Sequence, residues 1–330
     1  MKNIAILGCG VIASIMARTL REMKKRGAPI TLYAAAARTL DRAQAFCGKE
    51  GFEKAYGSYE ALVQDPAVDL VYIATPHSHH AEQAKLCIAH GKAILCEKAF
   101  TVNARQAREV LDLAREKNVL VAEAIWPRYM PSRKIICDLI ESGAIGTPQL
   151  LTANLSGYAE DIERIWNPAL AGGALLDVGI YPLTFMSMFF GDGFDRIDSS
   201  VQMLSTGVDR QETLTVHYPD GRMAVLFAGV SAPYPLVCRI CGTQGYITVD
   251  YCPNPRSVKL YLAKENYAVA HDIALPEQIS GYEYEIEACL KALEEGRIEC
   301  PEMPHSETIR MMEIMDGIRA QWKMVYPFEA

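Results

Sequence analysis

Over residues 1–123 the apolar positions come in short, nearly unbroken runs separated by longer amphipathic stretches. Ile4–Leu7, Ile30–Ala36, Val68–Thr75, Ala93–Cys96 and Val119–Ala122 have the pattern of strands buried on both faces, as in parallel sheets. The intervening stretches predict helices up to about Lys25, over 40–48, over 81–91 and over 104–117. A further short helix starts after Ser58, a plausible N-cap. Such alternation builds a doubly wound parallel sheet. The pattern then changes. A helix over 132–142, closed by Gly143, precedes a long strand over 149–158, a Gly- and Ala-rich loop and a helix running to about Phe190. From Ile197 to Leu275 nearly everything reads as strand, punctuated at Pro219-Asp-Gly221, Gly242-Thr-Gln-Gly245 and Pro253-Asn-Pro255, which predicts a large, mostly antiparallel open sheet. Helices over 283–295 and 306–323 end the chain. In the second of these, Ile309, Met312, Met315, Ile318 and Trp322 form an apolar stripe that core packing explains. The expected class is α/β in two parts, 1–123 and an α+β domain over 124–330.

Composition narrows the possibilities. A chain of 330 residues suits two domains, and 50% hydrophobic with 22% charged residues predicts packed cores rather than disorder. A net charge of −7 disfavours nucleic acid and anionic membranes as partners. No apolar run reaches the roughly 18 residues that span a bilayer, and a strand opening at residue 3 leaves no room for a signal peptide, so no membrane association is expected. Ten cysteines in that setting read as reduced thiols of a cytoplasmic protein. No metal is expected. Cys238 and Cys241 lack a second pair and, three apart in a strand, face opposite sides; His77-Ser-His-His80 has no carboxylate or thiol at matching spacing.

The first strand ends in Gly8-Cys-Gly10-Val11-Ile12-Ala13, a G-x-G-x-x-G/A fingerprint between strand and helix. Gly8 permits the tight turn, Gly10 lets backbone approach a pyrophosphate, and Ala13 keeps helix and strand close. The helix start, with Val11 and Ile12, offers amides and a positive dipole end. Where NAD enzymes carry an acid after the second strand, this chain has Ala37 and Arg38, with Arg42 one turn later. Two guanidinium groups suit a 2′-phosphate, so NADP is expected over NAD; the plainer alternative is a pair of solvated arginines at a helix start. Thr75-Pro76-His77 and Glu97-Lys98 end later strands at the same sheet edge. Asp177 and Tyr181, four apart beside Pro182, sit at a helix mouth.

Together, the glycine loop, Ala74-Thr-Pro-His77-x-x-His80, Glu97-Lys98 and Gly172-Gly…Asp177-x-Gly-x-Tyr181 resemble the Gfo/Idh/MocA oxidoreductase superfamily over the whole chain. The sequence is most similar to the branch of dimeric dihydrodiol dehydrogenase and NADP-dependent D-xylose dehydrogenase. Ala55–Glu60, Glu123–Pro131 and Ala174–Tyr181 carry that finer match. The resemblance implies a Rossmann domain over 1–123 and a substrate and oligomerisation domain over 124–330. It implies hydride transfer between nicotinamide and a carbinol carbon of a cyclic polyol, a sugar or a trans-dihydrodiol. Lys98 and Tyr181 would be catalytic, with Asp177 in support. Thr75, Pro76, His77, His80, Glu97, Trp126 and Arg128 would line the cofactor, with His80 alternatively capping the following helix and His79 facing solvent. Trp126, Tyr158, Trp166, Asp177 and Tyr181 would meet substrate. For Trp126 and Arg128 the plainer alternative is a core tryptophan beside a salt-bridged arginine. Three positions depart from the usual family pattern: Ala99 replaces the proline of Glu-Lys-Pro, His77 stands where many relatives have Asn, and Tyr181 stands where the wider superfamily has His. An NAD-dependent glycosidase of the same superfamily, or a non-catalytic dinucleotide-binding regulator, remain the alternatives. The broad sheet needs its outer face covered, which predicts a homodimer or homotetramer.

Overall fold

The computed structural model describes residues 1–329. In the first half the chain runs β1 (Lys2–Leu7), α1 (Val11–Lys25), β2 (Ile30–Ala36), α2 (Leu40–Glu50), β3 (Lys54–Tyr56), α3 (Tyr59–Val63), β4 (Leu70–Ile73), α4 (His77–Ala89), β5 (Ala93–Glu97), α5 (Ala104–Lys117) and β6 (Val121–Ala124). The six strands form one sheet in the order β3–β2–β1–β4–β5–β6, and every neighbouring pair is parallel. The order reverses between β1 and β4, and in such sheets the ligand crevice lies outside the carboxyl ends of the strands at that point. Two elements differ from the sequence pattern. β3, Lys-Ala-Tyr, is too short and polar to read as an apolar run. α4 starts at His77 rather than 81, because Pro76 supplies an extended residue just before it (φ −62°, ψ 152°) and the histidines fill its first turn.

The next part comprises α6 (Pro131–Glu141), β7 (Pro148–Ser156), the four-residue α7 (Glu163–Trp166), a π-helical turn over Leu175–Gly179, α8 (Ile180–Phe190), and strands β8 (Arg196–Met203), β9 (Asp209–His217), β10 (Met223–Gly229), β11 (Cys238–Gly242), β12 (Gly245–Val249), β13 (Val258–Leu262) and β14 (Val269–Ile273). The sheet order is β14–β13–β12–β11–β7–β10–β9–β8. Only β7 and β10 among these neighbours pair in parallel. One sheet face is core: Leu151, Leu214, Ala224, Leu226 and Ile240 are buried. On the other, Leu150, Met223 and Val225 remain exposed, Met223 standing in register with Leu150. α8 is apolar on almost every side and buried, as a helix without a polar face must be.

Here the expectation about membrane-length segments is corrected. The helical stretch Pro168–Phe190 is apolar enough by length and composition to cross a bilayer, with mean hydropathy 1.4. It comprises a 3-10 turn over Pro168–Leu170, a break at 171–173, and the continuous π-turn and α8. Since 83% of its apolar window is buried inside the protein, it is accounted for as a core element.

The chain ends with α9 (Glu283–Glu294) and α10 (His305–Trp322). Two compact units result: Met1–Tyr129 with Gln278–Met312, and Met130–Glu277 with the chain from Glu313 onward.

Candidate active site

In the first unit, the turn after β1 is set by Gly8, whose φ is +93° and where a Cβ would lie 2.7 Å from the Ala74 carbonyl oxygen. Any side chain there would push β1 and β4 apart at the switch point. α1 starts from Gly10 with no side-chain cap and no acid in its first turn, which leaves its first amides suited to an anion. A Cβ on Gly10 would meet nothing within 4 Å, so there is space in front of those amides. Val11, 81% exposed, flanks that space.

At the end of β2, Ala37 is buried and Arg38 exposed, with exposed Arg42 one turn into α2. Burial raises the Tyr59 phenol above its ordinary pKa, and both arginines pull it back. Arg42 also opposes the effect of burial on Cys9 of the glycine loop, whose thiol is pushed up to about 11. These residues fit a dinucleotide whose ribose carries an extra phosphate.

β5 delivers Lys98 to the same edge. Tyr72 donates to Glu97 Oε1, and Glu97 Oε2 accepts from the Lys98 backbone amide at 3.2 Å. Beneath lies Glu285 of α9, fully buried, with no hydrogen-bond partner for either oxygen among the described residues. Burial first and the Glu97 charge second push its carboxyl well above the usual range. The Lys98–Ala99 peptide is cis. His80 is fully buried and does not cap α4. Its Nδ1 lies 2.9 Å from the Ala99 carbonyl and its Nε2 2.8 Å from that of Thr75, which ties the end of β4 to the segment after β5. Burial lowers its pKa. His77, also buried, meets His80 edge-on at 5.8 Å, while His79 is exposed. The Thr75 hydroxyl donates to Gln83 Oε1 at 2.7 Å, and Pro76 precedes α4. Trp126 stacks on Tyr282 at 4.2 Å with 6° between the planes. Arg128 is buried against Glu307 at 2.5 Å.

In the second unit, the π-turn carries Asp177, and Tyr181 follows in the first turn of α8. Gly172 and Gly173 hold what precedes it against α7: Gly173 N–H donates to the Ile165 carbonyl at 2.8 Å and Gly172 N–H to that of Asn167 at 3.2 Å. A Cβ on Gly172 would lie 2.9 Å from the Arg164 carbonyl oxygen, so no larger residue permits this contact. From the other side, Asp209 of β9 accepts from Leu175 N–H at 2.5 Å. Glu212 of the same strand places Oε1 2.5 Å from where a Cβ of Gly179 would be. Burial raises Asp209 to about 6 and, with help from Asp209, carries Glu212 well above the carboxylate range. Asp177 is buried, and its Oδ1 accepts from Arg164 Nη1 at 2.7 Å. Tyr158 and Trp166 are 64% and 38% exposed, as open aromatic surfaces for a ligand would be.

Arg164, Tyr59, Tyr282, Glu285 and Glu212 were not singled out in the sequence. Each owes its place to a contact made across a loop or from a distant element. Only Gly172-Gly173 hinted that something packs closely on the backbone before Asp177.

Residues 2–125 match the oxidoreductase family with an NAD-binding Rossmann fold, and residues 135–248 match the GFO/IDH/MocA C-terminal domain. The trans-1,2-dihydrobenzene-1,2-diol dehydrogenase of Danio rerio is 34% identical over 300 residues, covering 89% of either chain. The D-xylose 1-dehydrogenase (NADP(+)) of Hypocrea jecorina is 36% identical over 306 residues, covering 83% of this chain and 78% of that one. Among solved structures, KijD10, a 3-ketoreductase from Actinomadura kijaniata in complex with NADP and TDP-benzene, matches with a TM-score of 0.87 at 24% identity over 97% of either chain. Levoglucosan dehydrogenase, in complex with NADH and levoglucosan, matches with a TM-score of 0.86 at 18% identity, over 97% of this chain and 96% of that one. These two share the fold. By both its domain matches and its full-length relatives, the chain belongs to the Gfo/Idh/MocA family of oxidoreductases.

Proposed function

We propose that this protein is an NADP-dependent dehydrogenase that moves a hydride between nicotinamide and a carbinol carbon of a cyclic polyol, a sugar or a trans-dihydrodiol. The observation that carries this reading is the single sheet edge on which β1, β2 and β5 set the glycine loop, Arg38 and Lys98. The relatives named for dihydrodiol and D-xylose oxidation support the substrate class. Bound NADP supplies the hydride acceptor. Lys98 Nζ hydrogen-bonds the reacting oxygen, and Tyr181 Oη takes up or returns its proton. Asp177 accepts from a neighbouring hydroxyl and fixes the ring. Residues 1–123 bind the dinucleotide in this reading, and 124–330 supply the substrate groups and an association face. The test is a panel of aldoses, inositols and dihydrodiols with NADP and with NAD. Turnover is expected with NADP in preference to NAD, and a protein that binds NADP but oxidises none of the panel is a regulator instead.

The exposed Leu150, Met223 and Val225 support association of two or four copies through the outer face of the eight-stranded sheet. Light scattering at micromolar concentration should show a dimer or tetramer, and Val225→Lys should shift it towards smaller species; a wild-type monomer contradicts the assignment. The ten cysteines are all free thiols, seven of them buried, which supports a reducing, cytoplasmic setting.

A further inference from the structure

We infer that Arg164 is a specificity-determining residue which, paired with Asp177, makes this chain's substrates sugars in preference to hydrocarbon dihydrodiols. The inference rests on the proposed reading of Asp177 and Tyr181 as substrate groups. Arg164 and Asp177 form a 2.7 Å ion pair in which the arginine side chain is 46% exposed and the carboxylate 11%. The pair thus presents guanidinium donors outward over a largely buried acceptor. Its place is fixed by backbone rather than by chance side-chain contact. The glycine pair docks through backbone hydrogen bonds on Ile165 of α7 and on Asn167 just past it, and Ile165, fully buried, anchors the turn from which Arg164 projects. Two neighbouring acids are engaged elsewhere: Glu160 pairs with Arg210, and Glu163 Oε1 accepts from Asn167 Nδ2 at 3.3 Å. Trp166, on the same short helix, adds an exposed aromatic face of the kind that covers the C–H side of a ring.

The chemistry distinguishes the two substrate kinds. A trans-dihydrodiol of benzene has two oxygens. One reacts, and its neighbour donates to Asp177, which leaves only the lone pairs of that single hydroxyl for the remaining donors of Arg164. An aldose carries further hydroxyl and ring oxygens, so the guanidinium gains an acceptor while Asp177 keeps its donor. A guanidinium presents up to five N–H donors in a fixed fork, and only one of its nitrogens is spent on Asp177 Oδ1.

The experiment compares kcat/KM with NADP for D-xylose and D-glucose against trans-1,2-dihydrobenzene-1,2-diol, using the full chain and its Arg164→Leu and Arg164→Lys variants. The wild type should favour the sugars. Arg164→Leu should lower the sugar-to-diol ratio roughly 10- to 100-fold, the size of one lost hydrogen bond to a charged group, mainly through KM for the sugar. Arg164→Lys, which keeps a charge and a donor, should recover part of the ratio. A ratio unchanged in Arg164→Leu, with both substrates falling together, overturns the inference, because Arg164 then acts only by holding Asp177. A wild-type preference for the diol overturns it as well. Failure of every polyol to reduce NADP overturns the functional reading together with the inference, an outcome distinct from either of these.

Discussion

Lys98→Met is expected to lower kcat for NADP-linked polyol oxidation by roughly 10²- to 10⁴-fold, the contribution of a well-placed proton-transfer group. The affinity for NADP should change little. Lys98 stands just past β5, and its backbone amide is held by Glu97, itself fixed by the Tyr72 hydroxyl. The methionine keeps the length and apolar body of the side chain while removing the only atoms that can bond a developing alkoxide. Tyr181→Phe should show a loss in the same range. If the two groups serve one proton, the double variant will lose much less than the product of the single losses. Steady-state kinetics on protein with an unchanged unfolding midpoint make the comparison. Near-normal turnover in Lys98→Met removes it from the chemistry.

Arg38→Asp combined with Arg42→Ala should lower the NADP-to-NAD ratio of kcat/KM by roughly 10²- to 10⁴-fold, as expected when two charge-assisted contacts to one phosphate are lost. Both arginines are exposed, so the substitutions disturb no core. The introduced aspartate stands near the end of β2, where a carboxylate takes ribose hydroxyls in NAD enzymes, so the NAD rate itself should rise. Raising the ionic strength should weaken NADP binding more in the wild type than in the variant. An unchanged cofactor preference would mean that the arginines are solvated residues of a helix start.

Much of the first unit was legible because its strands are buried on both faces. β1, β2, β4 and β5 read as continuous apolar runs, and the residues at their carboxyl ends had to share one edge. Elements stabilised by distant partners were not legible. β3 borrows its pairing from β2. The π-turn depends on Asp209 and Glu212, more than 30 residues further along the chain. The break at Gly172-Gly173 was legible, but not the close backbone approach on Ile165 that requires Gly172. Among the candidate site residues, Arg38, Lys98, Asp177 and Tyr181 stood out by motif. The environment of each one did not: Tyr59 beside the arginines, Glu285 beneath Glu97, and Arg164 on Asp177. Trp126, stacked on Tyr282, and Arg128, buried on Glu307, likewise owe their surroundings to the last part of the chain.

The central claim is direct transfer of hydride from a carbinol carbon to NADP. The most direct measurement uses a polyol substrate carrying deuterium on its oxidised carbon, with mass spectrometry of the reduced cofactor. One deuterium per NADPH formed is the predicted result, with a slower rate than for the unlabelled substrate wherever hydride transfer limits turnover. NADPH without deuterium, or no reduction of NADP by any polyol, would contradict the account.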